Sequence, residues 1–225
     1  MGEEGQERLL RSRVLIVGAG GLGSPCAMYL TAAGVGTIAI ADGDEVSLSN
    51  LQRQVIHHTG DVGKLKVVSA GEKMRSINPE TKVIEISHFI TDEEVDALVK
   101  DFDFVIEATD NFASRYRIND ACVRQGKPFC IGGVSHYSGQ LMTVVPGSMS
   151  YRDLFPEEDS PEFPEKLENP PSPQVPLPVL GPSVGILGTI MATECIKVLT
   201  GVGEPLTNQL LTFDALTMNF TKLTL

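Results

Sequence analysis

Asp42, Asn50, Arg53, Gln54, Lys66 and Asp110 form a set of side chains suited to chemistry on nucleotide phosphates. Arg and Lys converging near a helix start can meet the β and γ phosphates of a triphosphate and offset charge on a departing pyrophosphate. A dinucleotide dehydrogenase has no evident need for them. Asp44 and Lys64 stand beside the set, and Asp110 follows an apolar, strand-like run. Ligands of open α/β sheets bind at the carboxyl ends of the strands, where one carboxylate together with phosphate oxygens can hold magnesium. Two plainer readings compete: the charges make a solvated face, and Asp110 caps the next helix.

The element that must present these residues is the turn Gly18-Ala19-Gly20-Gly21-Leu22-Gly23 after the strand-like run Arg13 to Val17. In a G-x-G-x-x-G pattern, Gly18, Gly20, Gly21 and Gly23 let the chain turn tightly, approach a phosphate and pack the next helix on the sheet. That helix offers its unpaired N–H groups to the anion. Asp42 lies about twenty residues on, the spacing of a carboxylate that bonds a ribose hydroxyl. Glycines serving only turn and packing are the alternative, which the ordered strand, turn, helix and acid disfavour.

Periodicity supplies the scaffold. It predicts helices over Cys26 to Ala33, Val62 to Ile77, Asp92 to Lys100 (capped by Thr91), Ala113 to Arg124 and Gly181 to Leu199. Strands are predicted over Thr37 to Ala41, Lys82 to Ile90, Phe104 to Ala108, Phe129 to Gly133 and Ser138 to Val145, with a closing hairpin of Leu210 to Phe213 and Met218 to Leu223. The fold class is therefore α/β: a Rossmann-like, doubly wound, mostly parallel sheet with an antiparallel C-terminal extension. A single domain over 1–225 is expected, divided into a nucleotide-binding core (1–134), a Pro-rich crossover loop (146–182) and a C-terminal helix and hairpin (183–225). Nine of the fourteen prolines fall between Pro156 and Pro182, and seven acids fall between Asp153 and Glu168, which suits a solvated loop.

The formal charge of −11 disfavours general nucleic-acid binding. No uninterrupted apolar run reaches the ~18 residues that cross a bilayer, and Met1 to Arg13 is charged rather than signal-like. A cytoplasmic protein without a membrane segment is expected. Cys26, Cys122, Cys130 and Cys195 have no metal-ligand spacing and sit in predicted helices or strands, so they read as buried thiols.

Taken together, the chain resembles the MoeB/ThiF family of adenylating enzymes, relatives of the ubiquitin-activating enzymes. The match rests on Gly18 to Gly23, Asp42-Gly43-Asp44, Ser49-Asn50-Leu51-Gln52-Arg53-Gln54, Val62-Gly63 with Lys66, Ala108-Thr109-Asp110-Asn111, and Gly181-Pro182 with Gly185. The resemblance implies ATP and Mg2+ as cofactors. Asp42 would bind ribose, Asn50, Arg53 and Gln54 would address phosphates, Lys66 would stabilise transition-state charge, and Asp110 would hold the metal. It also implies a homodimer and a ubiquitin-like sulfur carrier ending in Gly-Gly, whose C-terminal carboxylate attacks the α phosphate to give an acyl adenylate in thiamine or molybdopterin sulfur chemistry. Adenylation needs no obvious base, so His57 and His58 are read as surface residues.

Three departures from the family pattern stand out. Relatives often hold zinc with two C-x-x-C pairs, but the first position reads Ser150-Tyr151-Arg152-Asp153 and the sequence stops at Leu225 ahead of the second, so no structural zinc is expected. Ser148 to Pro182 contains no cysteine, which places thioester or persulfide chemistry there in doubt and suggests that the chemistry stops at the adenylate. Cys195 is a poor substitute in its apolar helix. The usual arginine segment upstream of Gly5-Gln6-Glu7 is missing, leaving a truncated start, reduced activity, or Arg8 or Arg11 in its role. An NAD-dependent oxidoreductase and a degenerate nucleotide- or carrier-binding scaffold remain as alternatives.

Overall fold

The computed structural model describes residues 1–156 and 178–225. An eight-stranded sheet has the order β3-β2-β1-β4-β5-β6-β7-β8. Strands β1 (Arg13–Val17), β2 (Thr37–Ala41), β3 (Lys82–Ile86), β4 (Phe104–Glu107) and β5 (Phe129–Ser135) are parallel, and β6 (Ser138–Val144), β7 (Gln209–Asp214) and β8 (Asn219–Thr224) extend them antiparallel. The predicted fold class is thus observed. Parallel strands read as continuous apolar runs because both faces are covered. Val14, Ile16, Ile38, Ile40, Phe104 and Ile106 face one core, shared with residues of α2 (Gly23–Ala32) and α3 (Lys66–Ile77). Leu15, Val17, Ala39 and Val105 face the other, with residues of α4 (Val95–Lys100) and α5 (Phe112–Arg124).

Several boundaries differ from the predicted ones. Helix α3 begins at Lys66 rather than Val62, because Gly63 at φ +87° and Leu65 at ψ 134° lie outside helical geometry. Strand β3 stops at Ile86 rather than Ile90. Thr91 is not the α4 cap; its N–H donates to Glu94, at the N-cap, over 2.9 Å. Helix α1 (Gly2–Arg11) was not predicted: Leu9 is its one fully buried large side chain, and the pairs Glu4–Arg8 and Glu7–Arg11 hold its exposed side. A short helix α6 (Tyr151–Leu154) interrupts the segment read as loop, and the remainder of the predicted crossover, 157–177, lies outside the described residues.

The last helix, α7 (Gly181–Thr200), packs on α2, β5 and β6. Its 20 residues are apolar enough to span a bilayer by length and composition, yet half of the helix is buried inside the fold, as in a core helix. Gly188 allows close approach to α2: a Cβ there would lie 2.5 Å from the Leu22 carbonyl oxygen, and the Cys26 thiol donates to the Gly188 carbonyl over 3.0 Å. All four cysteines are buried and unbridged, and burial pushes the Cys26 and Cys195 thiols up. They are therefore poor nucleophiles.

Glu194 supplies the main buried polar contact of α7. Its Oε2 accepts from Thr143 Oγ1 and the Leu206 backbone N–H, both over 2.6 Å, and it pairs with Lys197. Glu194→Ala removes this acceptor from the buried Thr143 hydroxyl and Leu206 N–H and is expected to lower unfolding free energy by about 3 kcal/mol, read as a reduced urea midpoint.

Candidate active site

The site begins where strand order reverses. Val17 is in register with Ala41 and with Glu107, so the carboxyl ends of β1, β2 and β4 deliver the glycine turn, Asp42 and Asp110 to one place. Gly18 has φ +104°, and a Cβ there would come 2.5 Å from the Ala108 carbonyl oxygen; a Cβ at Gly23 would come 1.9 Å from that of Gly18. No side chain fits either position. Asp42 locks the turn: Oδ2 accepts from the Ala19 N–H over 2.8 Å, and Oδ1 from the Asp44 N–H over 2.9 Å. An ionised carboxylate has about four acceptor positions, so capacity for ribose hydroxyls remains.

Lys66 opens α3 and is buried. Its Nζ lies 2.6 Å from Asp44 Oδ2 and 3.7 Å from Asp42 Oδ2. The cation is thus held by two acids at the site entrance. Lys64 turns away to Glu72 and Asp61, and does not join the site. Arg53 is partly exposed and donates weakly to the Ser49 carbonyl over 3.4 Å, with its stem beside Gly21. Asn50 accepts from the Ser47 N–H in a capping box around the short 3-10 turn Leu48–Asn50. Gln54 is buried beside Gly20, and its Oε1 has no hydrogen-bond partner among the described residues. A buried amide with unused capacity next to a glycine cradle fits a polar ligand. Gly21 faces Val184 at the start of α7, and Gly181 faces the Gln52 carbonyl.

Asp110 is exposed, and the helix cap is its neighbour: Asn111 accepts from the Ser114 N–H over 2.8 Å. The capping alternative for Asp110 is therefore removed. One exposed carboxylate at this edge fits magnesium bound jointly with phosphate oxygens. Among the described residues no group of three or more His, Cys, Asp or Glu forms a metal cluster. Asp110 also lines a groove of about 830 Å3 over β5, β6 and β7, with Phe112, Arg115, Tyr151 and Phe213. A second opening of about 600 Å3, beside Arg8 and Arg11 on α1, contains none of the predicted site residues. Those arginines pair with Glu4 and Glu7 at the end of β1 away from the glycine turn, so neither reaches the site of its own chain.

Two groups escaped sequence reasoning. His57 is buried rather than on the surface, whereas His58 is exposed. Glu107, fully buried at the end of β4, accepts from both the N–H and hydroxyl of Thr109, and its Oε2 lies 3.8 Å from Arg115 Nε. Arg115 in turn donates to the carbonyls of Gly132 and Thr109 over 3.0 and 3.3 Å. A lone acid in the apolar run Phe104 to Ala108 was the available signal.

The ThiF family profile matches residues 1–225. The chain belongs to the ThiF family. It is 40% identical over 231 residues to the sulfur carrier protein adenylyltransferase of Thermus thermophilus, covering 100% of this chain and 82% of that one. It is 42% identical to the probable adenylyltransferase/sulfurtransferase MoeZ of Mycobacterium tuberculosis, again over 100% of this chain but spanning 57% of that protein's length. The crystal structure of E. coli MccB with ATP superposes with a TM-score of 0.84 at 24% identity, covering 98% of this chain and 65% of that one, a likeness of fold.

Burial pushes the Glu107 carboxyl up to about 7, against the opposing pull of Arg115 and the Thr109 hydrogen bonds. The folded state therefore holds this proton more tightly than the unfolded state. Its stabilisation is full below the ordinary carboxyl value and is lost as pH rises toward 7. Relative to Glu107→Gln, the wild type is expected to lose on the order of 2 kcal/mol between about pH 4.5 and 7.5, measured by urea unfolding across that range.

Proposed function

We propose that this ThiF-family chain is an ATP-dependent adenylyltransferase. Its substrate is the C-terminal glycine carboxylate of a small ubiquitin-like sulfur carrier, in thiamine or molybdopterin sulfur chemistry. The observation that carries the reading is the meeting of Asp42, Arg53, Gln54 and Lys66 around one glycine turn, with Asp110 between that turn and the 830 Å3 groove. The name of the Thermus relative supports the carrier. An oxidoreductase would leave Arg53, Lys66 and Asp110 without work.

In this reading the ribose hydroxyls bond to Asp42, and the phosphates take the N–H groups of the glycine turn, the Gln54 amide and Arg53. Asn50 holds the loop that carries Arg53 and Gln54. Lys66 exchanges its contact with Asp44 for phosphate oxygens. Asp110 would hold magnesium, which supplies charge neutralisation on the phosphates when bound. The carrier tail enters through the groove. One oxygen of its carboxylate bonds to the α phosphorus while the bond to the β phosphate oxygen breaks, and pyrophosphate leaves with the electron pair. No proton must move, so the work is bringing anions together. The whole of 1–225 would act as one unit, as a cytoplasmic homodimer; sedimentation finding only monomer removes the dimer from the proposal.

ATP–pyrophosphate exchange dependent on a Gly-Gly-ended carrier tests the reading. Arg53→Ala and Asp110→Ala should each lower exchange about 100-fold or more, while thermal midpoints stay near wild type because both side chains are at least partly exposed. Full exchange in both variants rejects the site. Bound ATP with no exchange for any cellular carrier favours a scaffold.

A further inference from the structure

His57 sits between the glycine turn and α3 and is 4% exposed. Its Nε2 lies 2.9 Å from the Ala19 carbonyl oxygen, and its Nδ1 lies 2.9 Å from Ser69 Oγ. Ser69 in turn accepts from Lys73 Nζ over 3.3 Å, and Lys73 is paired with the buried Asp61. Directions follow from donor and acceptor chemistry. A carbonyl only accepts, so the proton is on Nε2. Lysine only donates, so it takes a Ser69 lone pair; with the ring neutral and Nε2 protonated, Nδ1 can only accept, so the Ser69 hydroxyl hydrogen goes to it rather than to Asp61, which also faces Ser69. The chain of donations starts at Lys73 and ends at Ala19.

Ala19 is thereby held from both sides, its N–H on Asp42 and its carbonyl on His57. The peptide joining Ala19 to Gly20 is planar and trans, so its C=O and N–H point in opposite directions. Drawing the carbonyl inward to His57 turns the Gly20 N–H outward, toward the phosphate side of the turn.

We infer that His57 is a positioning residue for nucleotide binding: through the Lys73–Ser69 relay it fixes the Ala19–Gly20 peptide so that the Gly20 N–H faces the ligand. The inference rests on the ATP reading above for its ligand, although the geometry of the relay does not. Burial lowers the imidazole's proton affinity, the Ala19 hydrogen bond opposes this, and Lys66, Asp61 and Lys73 are the charged groups that face the ring. The ring is accordingly neutral and able to accept at Nδ1.

Imidazole 15N spectra of the full chain at about pH 7.5 should show His57 neutral with its proton on Nε2. A charged ring or an Nδ1–H tautomer overturns the inference. Calorimetric titration with Mg–ATP supplies the second test. His57→Phe should raise Kd about tenfold, because one hydrogen bond is lost, and exchange at saturating ATP should fall much less. His57→Gln, whose amide can donate to Ala19, should recover most of the affinity. Equal losses in both variants, or an unchanged Kd in His57→Phe, overturn it. Should the Phe variant not fold, Ser69→Ala takes its place with an expected rise of about threefold, and an unchanged Kd has the same meaning. A wild type that binds no ATP defeats the functional proposal instead, while the spectra still decide the relay.

Discussion

The Asp42 carboxylate is the joint on which the site depends. It lies at the end of β2, accepts from the backbone of the glycine turn and of Asp44, and faces Lys66 at the start of α3. Three chain segments, the glycine turn, the end of β2 and the start of α3, are thus fixed by one buried carboxylate. Such a group costs free energy to desolvate, and it is tolerable because two N–H donors and a cation stand against it. The sheet makes this arrangement possible: parallel register aligns the ends of β1, β2 and β4, and strand order reverses between β1 and β4. The crevice is a consequence of topology, and the charges around it are a consequence of which residues end the strands.

Much of this was legible because the signals are local. Buried parallel strands announce themselves as runs such as Val14 to Val17, and Gly18 to Gly23 marks a backbone path that side chains would block. Where stability comes from long-range contact, local reading failed. Helix α1 buries little beyond Leu9, and its sequence resembles a charged terminus until it meets α7. The start of α3 was set too early because Val62 fits the apolar period while the backbone at Gly63 does not. His57 was read as a surface residue because neither Ala19 nor Ser69 reveals in sequence that it will face the ring. Glu107 and Arg115 are eight positions apart and meet only after β4 and α5 have packed.

The segment Ser150 to Asp153 gives a different lesson. At the position where the family resemblance implies a C-x-x-C pair, Ser150 Oγ accepts from the Asp153 N–H over 3.3 Å, and Asp153 Oδ2 accepts from the Ser150 N–H over 2.8 Å. These hydrogen bonds form a capping box that starts α6. Arg152 then makes two 2.8 Å bonds to Asp120 on α5. A metal clip and a capping box both fix a short turn against its neighbour, by different chemistry. The resulting platform carries Tyr151 into the wall of the groove that Asp110 also lines. Local hydrogen bonding can therefore support the groove without thiolate ligands at these two positions.

The same economy of buried charge bears on how the site could bind a triphosphate. Lys66 is held between Asp42 and Asp44, so its positive charge is largely neutralised before any ligand arrives. A phosphate oxygen competing for Nζ has to displace Asp44, whose side chain is more than half exposed and readily rehydrated. It need not displace Asp42, which stays anchored to two backbone N–H groups. Exchange of one solvated carboxylate for one phosphate moves a cation over a short distance and leaves the turn undisturbed. The ordered part of the site is thus backbone and buried carboxylate, and the adjustable part is at its solvent edge. In the proposed reaction, that division would keep preorganised donors for the transition state while leaving Lys66 to follow the charge as it shifts toward pyrophosphate.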